Sequence, residues 1–60
     1  MIRFEKRGFN FKVLLANYEE EKYRLYVAEE GKTGLKFLGQ KKTMEEVQEL
    51  ATEYIENGGF

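Results

Sequence analysis

Thr43-Met44-Glu45-Glu46-Val47-Gln48-Glu49-Leu50-Ala51-Thr52-Glu53-Tyr54-Ile55-Glu56 is the stretch that decides the fold. Thr43 with Glu46 three residues later is a capping box: the Thr hydroxyl accepts from the Glu46 backbone N–H, and the Glu46 carboxylate returns to the N–H of Thr43. Met44, Val47, Leu50, Ala51, Tyr54 and Ile55 then recur at intervals of three and four and draw one apolar stripe along a helix. Gly58 is placed to take the left-handed conformation that stops it, with Gly59 beyond and Phe60 free to fold back. A helix with a single apolar stripe needs a surface to cover, so the rest of the chain must supply a second layer.

Before Gly39 the apolar period is two, not three and four. Phe9, Phe11, Val13 and Leu15 alternate with Asn10, Lys12, Leu14 and Ala16, which describes a strand with one thoroughly apolar face. The cluster Tyr18-Glu19-Glu20-Glu21-Lys22 interrupts it as a loop of about four residues. Tyr23, Leu25 and Val27 then alternate with Arg24, Tyr26 and Ala28, and after the turn Glu29–Gly34, Leu35 and Phe37 alternate with Lys36 and Leu38. Gly31 and Gly34 in that turn can adopt positive φ. Residues Ile2 to Glu5 also alternate, but Gly8 shifts their parity relative to Phe9. Either Lys6-Arg7-Gly8 is a turn that adds a short fourth strand, or Gly8 is a bulge within one long strand. The sum is an α+β two-layer sandwich, an antiparallel sheet of three or four strands with one C-terminal helix on one face, forming a single domain over 1–60.

Composition narrows the chemistry. The chain has no His, Cys, Ser, Asp, Trp or Pro. Disulfides and thiolate or imidazole metal sites are therefore out of reach, and a nucleophile would have to be Thr33, Thr43, Thr52 or a lysine with only glutamates to assist it. A pair of glutamates with divergent environments could in principle do acid–base work. A domain this small is expected to offer little of the concave volume, about 300 Å³ or more, that such chemistry uses. The expectation is a non-enzymatic protein without cofactor or metal. The apolar runs fall far short of the roughly 20 residues that cross a bilayer, and Met1-Ile2-Arg3-Phe4-Glu5 lacks the apolar core of a signal peptide, which points to a complete small cytoplasmic protein with no membrane partner. Sixty residues bury only about 60% of the surface of the unfolded chain, so a homodimer is the remaining route to extra burial.

Charge is split along the chain. All ten Lys and Arg lie at or before Lys42, where six glutamates reduce the balance to +4, and the remainder carries five glutamates and no base. On the drawn register the sheet face away from the helix presents Lys12, Leu14, Arg24, Tyr26, Lys36 and Leu38. Basic residues interleaved with an aromatic suit a phosphate backbone and stacked bases; the same face suits a protein partner or a second copy, or is simply solvated. Outside the stripe, Glu45, Glu49 and Glu53 recur every fourth residue, with Glu56 nearby. Such like-charge pairs each cost an isolated helix about 0.2–0.5 kcal/mol. They serve solubility, or they dock a basic partner. Gly31-Lys32-Thr33 ends like a phosphate-binding loop, but the first glycine of that motif is missing and no helix follows directly, so it reads as a hairpin turn.

From Lys12 to Glu56, and especially in Phe37-Leu38-Gly39-Gln40-Lys41-Lys42-Thr43-Met44-Glu45-Glu46-Val47, the chain resembles HicB-like antitoxins, in which a last strand runs into a Gly-x-Thr-x-Glu-Glu-Ala helix. Three residues separate Gly39 from Thr43, where that pattern has one. It is also similar to the AP2-like arm-binding domain of tyrosine integrases, a resemblance that implies Lys12, Arg24, Tyr26 and Lys36 as sheet contacts to DNA. The leading expectation is a binding module, a small regulator or inhibitor of phage or mobile-element type that acts through protein–protein interaction. Nucleic-acid binding through the open sheet face is the alternative.

Overall fold

A computed structural model describes residues 2–59, and within them the strands β1 (Ile2–Lys6), β2 (Phe9–Leu15), β3 (Tyr23–Ala28) and β4 (Lys36–Lys41) precede the helix α1 (Met44–Glu56). The four strands form one antiparallel meander in the order β1-β2-β3-β4. Gly8 belongs to a turn. Lys6 pairs with Phe9 across Arg7 and Gly8, whose φ values of 49° and 84° are the positive pair that a two-residue hairpin loop requires. The β2–β3 connection is longer than expected, running over 16–22, because Ala16 donates to the Lys22 carbonyl at 2.7 Å and is itself buried under the loop. Ala16 therefore does not lie on an open sheet face.

The helix forms where its signals place it. Thr43 is the N-cap, its hydroxyl 3.2 Å from the Glu46 backbone N–H. The Glu46 carboxylate returns at 3.2 Å to the Thr43 hydroxyl, where the sequence led us to expect the backbone N–H. At the other end Gly58 (φ 69°) donates to Ile55 and Gly59 to Tyr54, the paired bonds that close a helix on a left-handed residue. The expected fold-back of Phe60 lies outside the described residues.

Val47, Leu50, Ala51 and Tyr54 bury the stripe against Phe11 and Val13 of β2 and Leu25 and Val27 of β3. Fully removing a Leu- or Val-sized side chain from water contributes roughly 1.5–3 kcal/mol, so this cluster is what holds the two layers together. Over β1 the helix gives way to rings: Phe4 stacks on Phe11 at 5.1 Å, and the Tyr54 ring meets Phe9 and Phe11 edge-on at 5.6 and 6.0 Å. Lys6 Nζ, 2.6 Å from Thr52 Oγ1, ties the end of β1 to the helix.

The parity of β4 differs from the alternation read in its sequence. Tyr26 pairs with Phe37 and Leu25 with Gly39, so Leu38 is the extra residue of a bulge. Lys36, opposite Val27, and Leu38, packed against the core, lie on the helix side, while Phe37 is turned to the open side and is 52% exposed. Leu35 is exposed as well. The physical reason is Gly39: an added Cβ there would stand 3.0 Å from Leu50 Cδ2, so the helix closes onto β4 through the gap that the missing side chain leaves.

Candidate functional site: the open face of the sheet

The helix occupies one face of the sheet, and cross-strand pairing fixes what the other presents. Arg3 stands opposite Lys12, Lys12 opposite Tyr26, and Tyr26 opposite Phe37, so one row of side chains crosses all four strands in the order cation, cation, ring, ring. The two rings touch, with centroids 5.4 Å apart and planes tilted by 55°. Arg3 and Phe37 at the ends of the row are exposed, and Lys12 and Tyr26 between them are half-buried. A cleft of about 350 Å³ between β1 and β2, bordered by Arg3, Glu5, Asn10 and Lys12, extends the row along the strands.

The neighbouring row holds Leu14, Arg24 and Gln40. Here the 16–22 loop reaches over the face. The Glu19 carboxylate accepts from Arg24 Nη2 at 2.7 Å and, through its second oxygen, from Gln40 Nε2 at 2.7 Å. Gln40 also donates to the Glu21 carbonyl at 3.0 Å. Glu19 holds the guanidinium pKa above its ordinary value by its charge, against the opposing effect of desolvation. The charge of Arg24 is thus answered within the chain, while its Nε is shielded from water and has no hydrogen-bond partner among the described residues.

Of the six residues expected together on this face, the structure brings together Lys12, Leu14, Arg24 and Tyr26. It removes Lys36, whose Nζ lies 5.6 Å over the Tyr54 ring on the helix side, and Leu38, which packs on the core. It adds Arg3, Phe37, Gln40 and the Glu19 clamp. A glycine within a strand marks a possible bulge, so Gly39 carried the signal that would have turned Phe37 outward. Nothing in the local sequence pairs Glu19 with a residue of β4.

The second expected surface, Glu45, Glu49, Glu53 and Glu56, is exposed along the outside of α1, on the far side of the molecule from the basic row. None of the ion pairs seen among the described residues, Arg24–Glu19, Lys32–Glu29 and Lys42–Glu20, involves a helix glutamate. A larger cleft, about 670 Å³, opens beside the Arg7-Gly8 turn and is lined by Phe9, Asn10, Ala28, Glu29 and Glu30 as well. That is more concave volume than the chain length suggested. Its Glu29 is engaged by Lys32 at 3.7 Å and by the Tyr54 hydroxyl at 3.4 Å. Among the described residues no group of acidic side chains is placed to hold a metal ion, and no helix is long and apolar enough to cross a membrane.

No family model, no curated protein and no solved structure matches this chain.

Proposed function

We propose that the protein is a non-enzymatic binding module, a small regulator or inhibitor, that engages a protein partner through the open face of its sheet. The observation that carries this reading is the Arg3–Lys12–Tyr26–Phe37 row: a half-exposed phenylalanine on a tyrosine, with two cations beside them. Aromatic and arginine side chains are the groups that dominate binding energy in protein interfaces. The acidic helix face lies on the opposite side and leaves the row free to act alone.

Immobilised protein tests this, challenged with an extract of the cells that encode it and with itself. The wild type is expected to retain a species that Lys12→Glu and Phe37→Ala lose and that Glu49→Lys/Glu53→Lys keeps. Loss with the helix variant alone moves the site to α1. Retention by every variant, or by none including the wild type, overturns the reading.

The same row supports a second reading, a single-stranded nucleic acid tracked by Arg3 and Lys12 and stacked on Tyr26 and Phe37. Binding of that kind loses affinity steeply from low to physiological salt. Fluorescence anisotropy with labelled oligonucleotides that shows no binding at low salt removes it.

A further inference from the structure

We infer that the partner of the open face is a second copy of this chain, docked about a two-fold axis that runs parallel to the strands. This rests on the open face being the binding surface and adds which occupant it fits. An isologous interface brings one patch onto itself, so the patch must be complementary to its own rotated image. A row ordered cation, cation, ring, ring has that property about one axis only. With the axis along the strands and between β2 and β3, strand order reverses across the interface: β1 faces the partner's β4, and β2 faces the partner's β3. Arg3 then lies over the second copy's Phe37 and Lys12 over its Tyr26, and the symmetry repeats both pairs, giving four cation–ring contacts. With the axis along the row instead, Arg3 meets Arg3 and Lys12 meets Lys12, and like charges oppose each other.

The neighbouring rows agree with the first axis. Leu14 faces the edge of the Arg24–Glu19 clamp, whose charges already cancel, and Asn10 faces Ala28. The four strands, about 4.8 Å apart and at most seven residues long, offer a face of about 400 Å² per partner, the small end of specific interfaces, so the association is expected to be weak. The domain has reason to associate, since its core holds only nine buried side chains among the described residues.

Sedimentation equilibrium from about 10 µM to about 1 mM, the range in which an interface at the lower end of the standard size is titrated, measures the assembly. The mass is expected to rise from 7.1 kDa toward twice that value. Lys12→Ala and Phe37→Ala, both on the face away from the core, are each expected to raise the dissociation constant by about tenfold or more, with the circular dichroism unchanged. Glu49→Lys is expected to leave it where it was. Isotope-filtered NMR on a mixed sample is expected to show contacts between Lys12 and Tyr26 and between Arg3 and Phe37 across the interface. A monomer throughout, a dimer indifferent to both sheet variants, or association weakened by Glu49→Lys overturns the proposal. A monomer that still captures a foreign protein through Lys12 overturns the second copy alone and leaves the binding reading standing.

Discussion

Glu19 in the β2–β3 loop and Arg24 in β3 form a salt bridge of 2.7 Å, and it commits one of the basic residues of the open face to the chain's own loop. Its consequence is an order among the cations. Arg24→Ala is expected to change the binding of any acidic partner less than Lys12→Ala does, because Glu19 already answers its charge. Isothermal titration of the two variants against the same ligand, each at two salt concentrations, gives the comparison; a larger loss for Arg24 would mean that the ligand displaces Glu19. Removing the clamp instead, by Glu19→Ala, is expected to speed amide exchange several-fold at Ala16 and Glu19, whose N–H groups close the loop, and to leave Leu25 and Val27 protected.

Tyr54 gives the protein an alkaline limit. Its ring is 1% exposed, and burial first, then the nearby charge of Glu29 and the bond to it, push the phenol pKa above its ordinary value. The folded form therefore holds the phenolic proton more tightly than the unfolded chain. Stability from this source is fully present below the unfolded value, about 10, and is lost as pH rises through the folded one. Urea unfolding between neutral pH and pH 11 is expected to show a steeper alkaline decline for the wild type than for Tyr54→Phe. Equal slopes would mean that the Tyr54 hydroxyl reaches water.

The Arg7-Gly8 turn stores correctable strain. Arg7 sits at φ 49°, a region that costs an L-residue with a long side chain roughly 1–2 kcal/mol, and Gly8 at φ 84° is suited to its place. Arg7→Asn or Arg7→Gly is expected to stabilise the domain by about 0.5–1 kcal/mol, a rise in melting temperature of a few degrees. Gly8→Ala is expected to lower it, although no atom of the described residues stands in the way of a new Cβ, because the conformation and not the space is limiting. Thermal melts of the three variants decide, and a stabilised Gly8→Ala would show that the turn is not built on positive φ.

These contrasts explain what the residues disclosed and what they withheld. The helix was legible because each of its signals is local: the Thr43 cap, the stripe from Met44 to Ile55 and the stop at Gly58 lie within a few residues of the bonds they make. The strand alternation of β2 and β3 was legible for the same reason. What the chain withheld depends on contacts between distant segments. Glu19 meets Gln40 across twenty-one positions, and no periodicity encodes that. The side to which Phe37 and Leu38 turn depends on whether β4 bulges. That was settled by α1 pressing Leu50 against Gly39, so a reading by strict alternation put Phe37 in the core and Lys36 and Leu38 outside. Because candidate sites on a sheet face inherit strand parity, one bulge exchanged a third of the expected site residues.

The Gly39–Leu50 approach can be measured. The backbone at Gly39 is not at positive φ, so alanine there meets no conformational barrier, and among the described residues the obstacle to its Cβ is Leu50 Cδ2 at 3.0 Å. Overpacking of this kind costs typically 1–3 kcal/mol, offset by about 0.4–1 kcal/mol from the stiffer unfolded chain, so Gly39→Ala is expected to destabilise by about 1 kcal/mol. Leu50→Ala alone leaves a cavity and costs about 2–5 kcal/mol. In the double variant the added methyl enters the space that Leu50 vacates, so the combined loss should be smaller than the sum of the two by about 1 kcal/mol or more. Denaturant unfolding of the four proteins closes the cycle. Strict additivity would mean that Leu50 simply rotates away, and then the bulge in β4 must be held by something other than the helix.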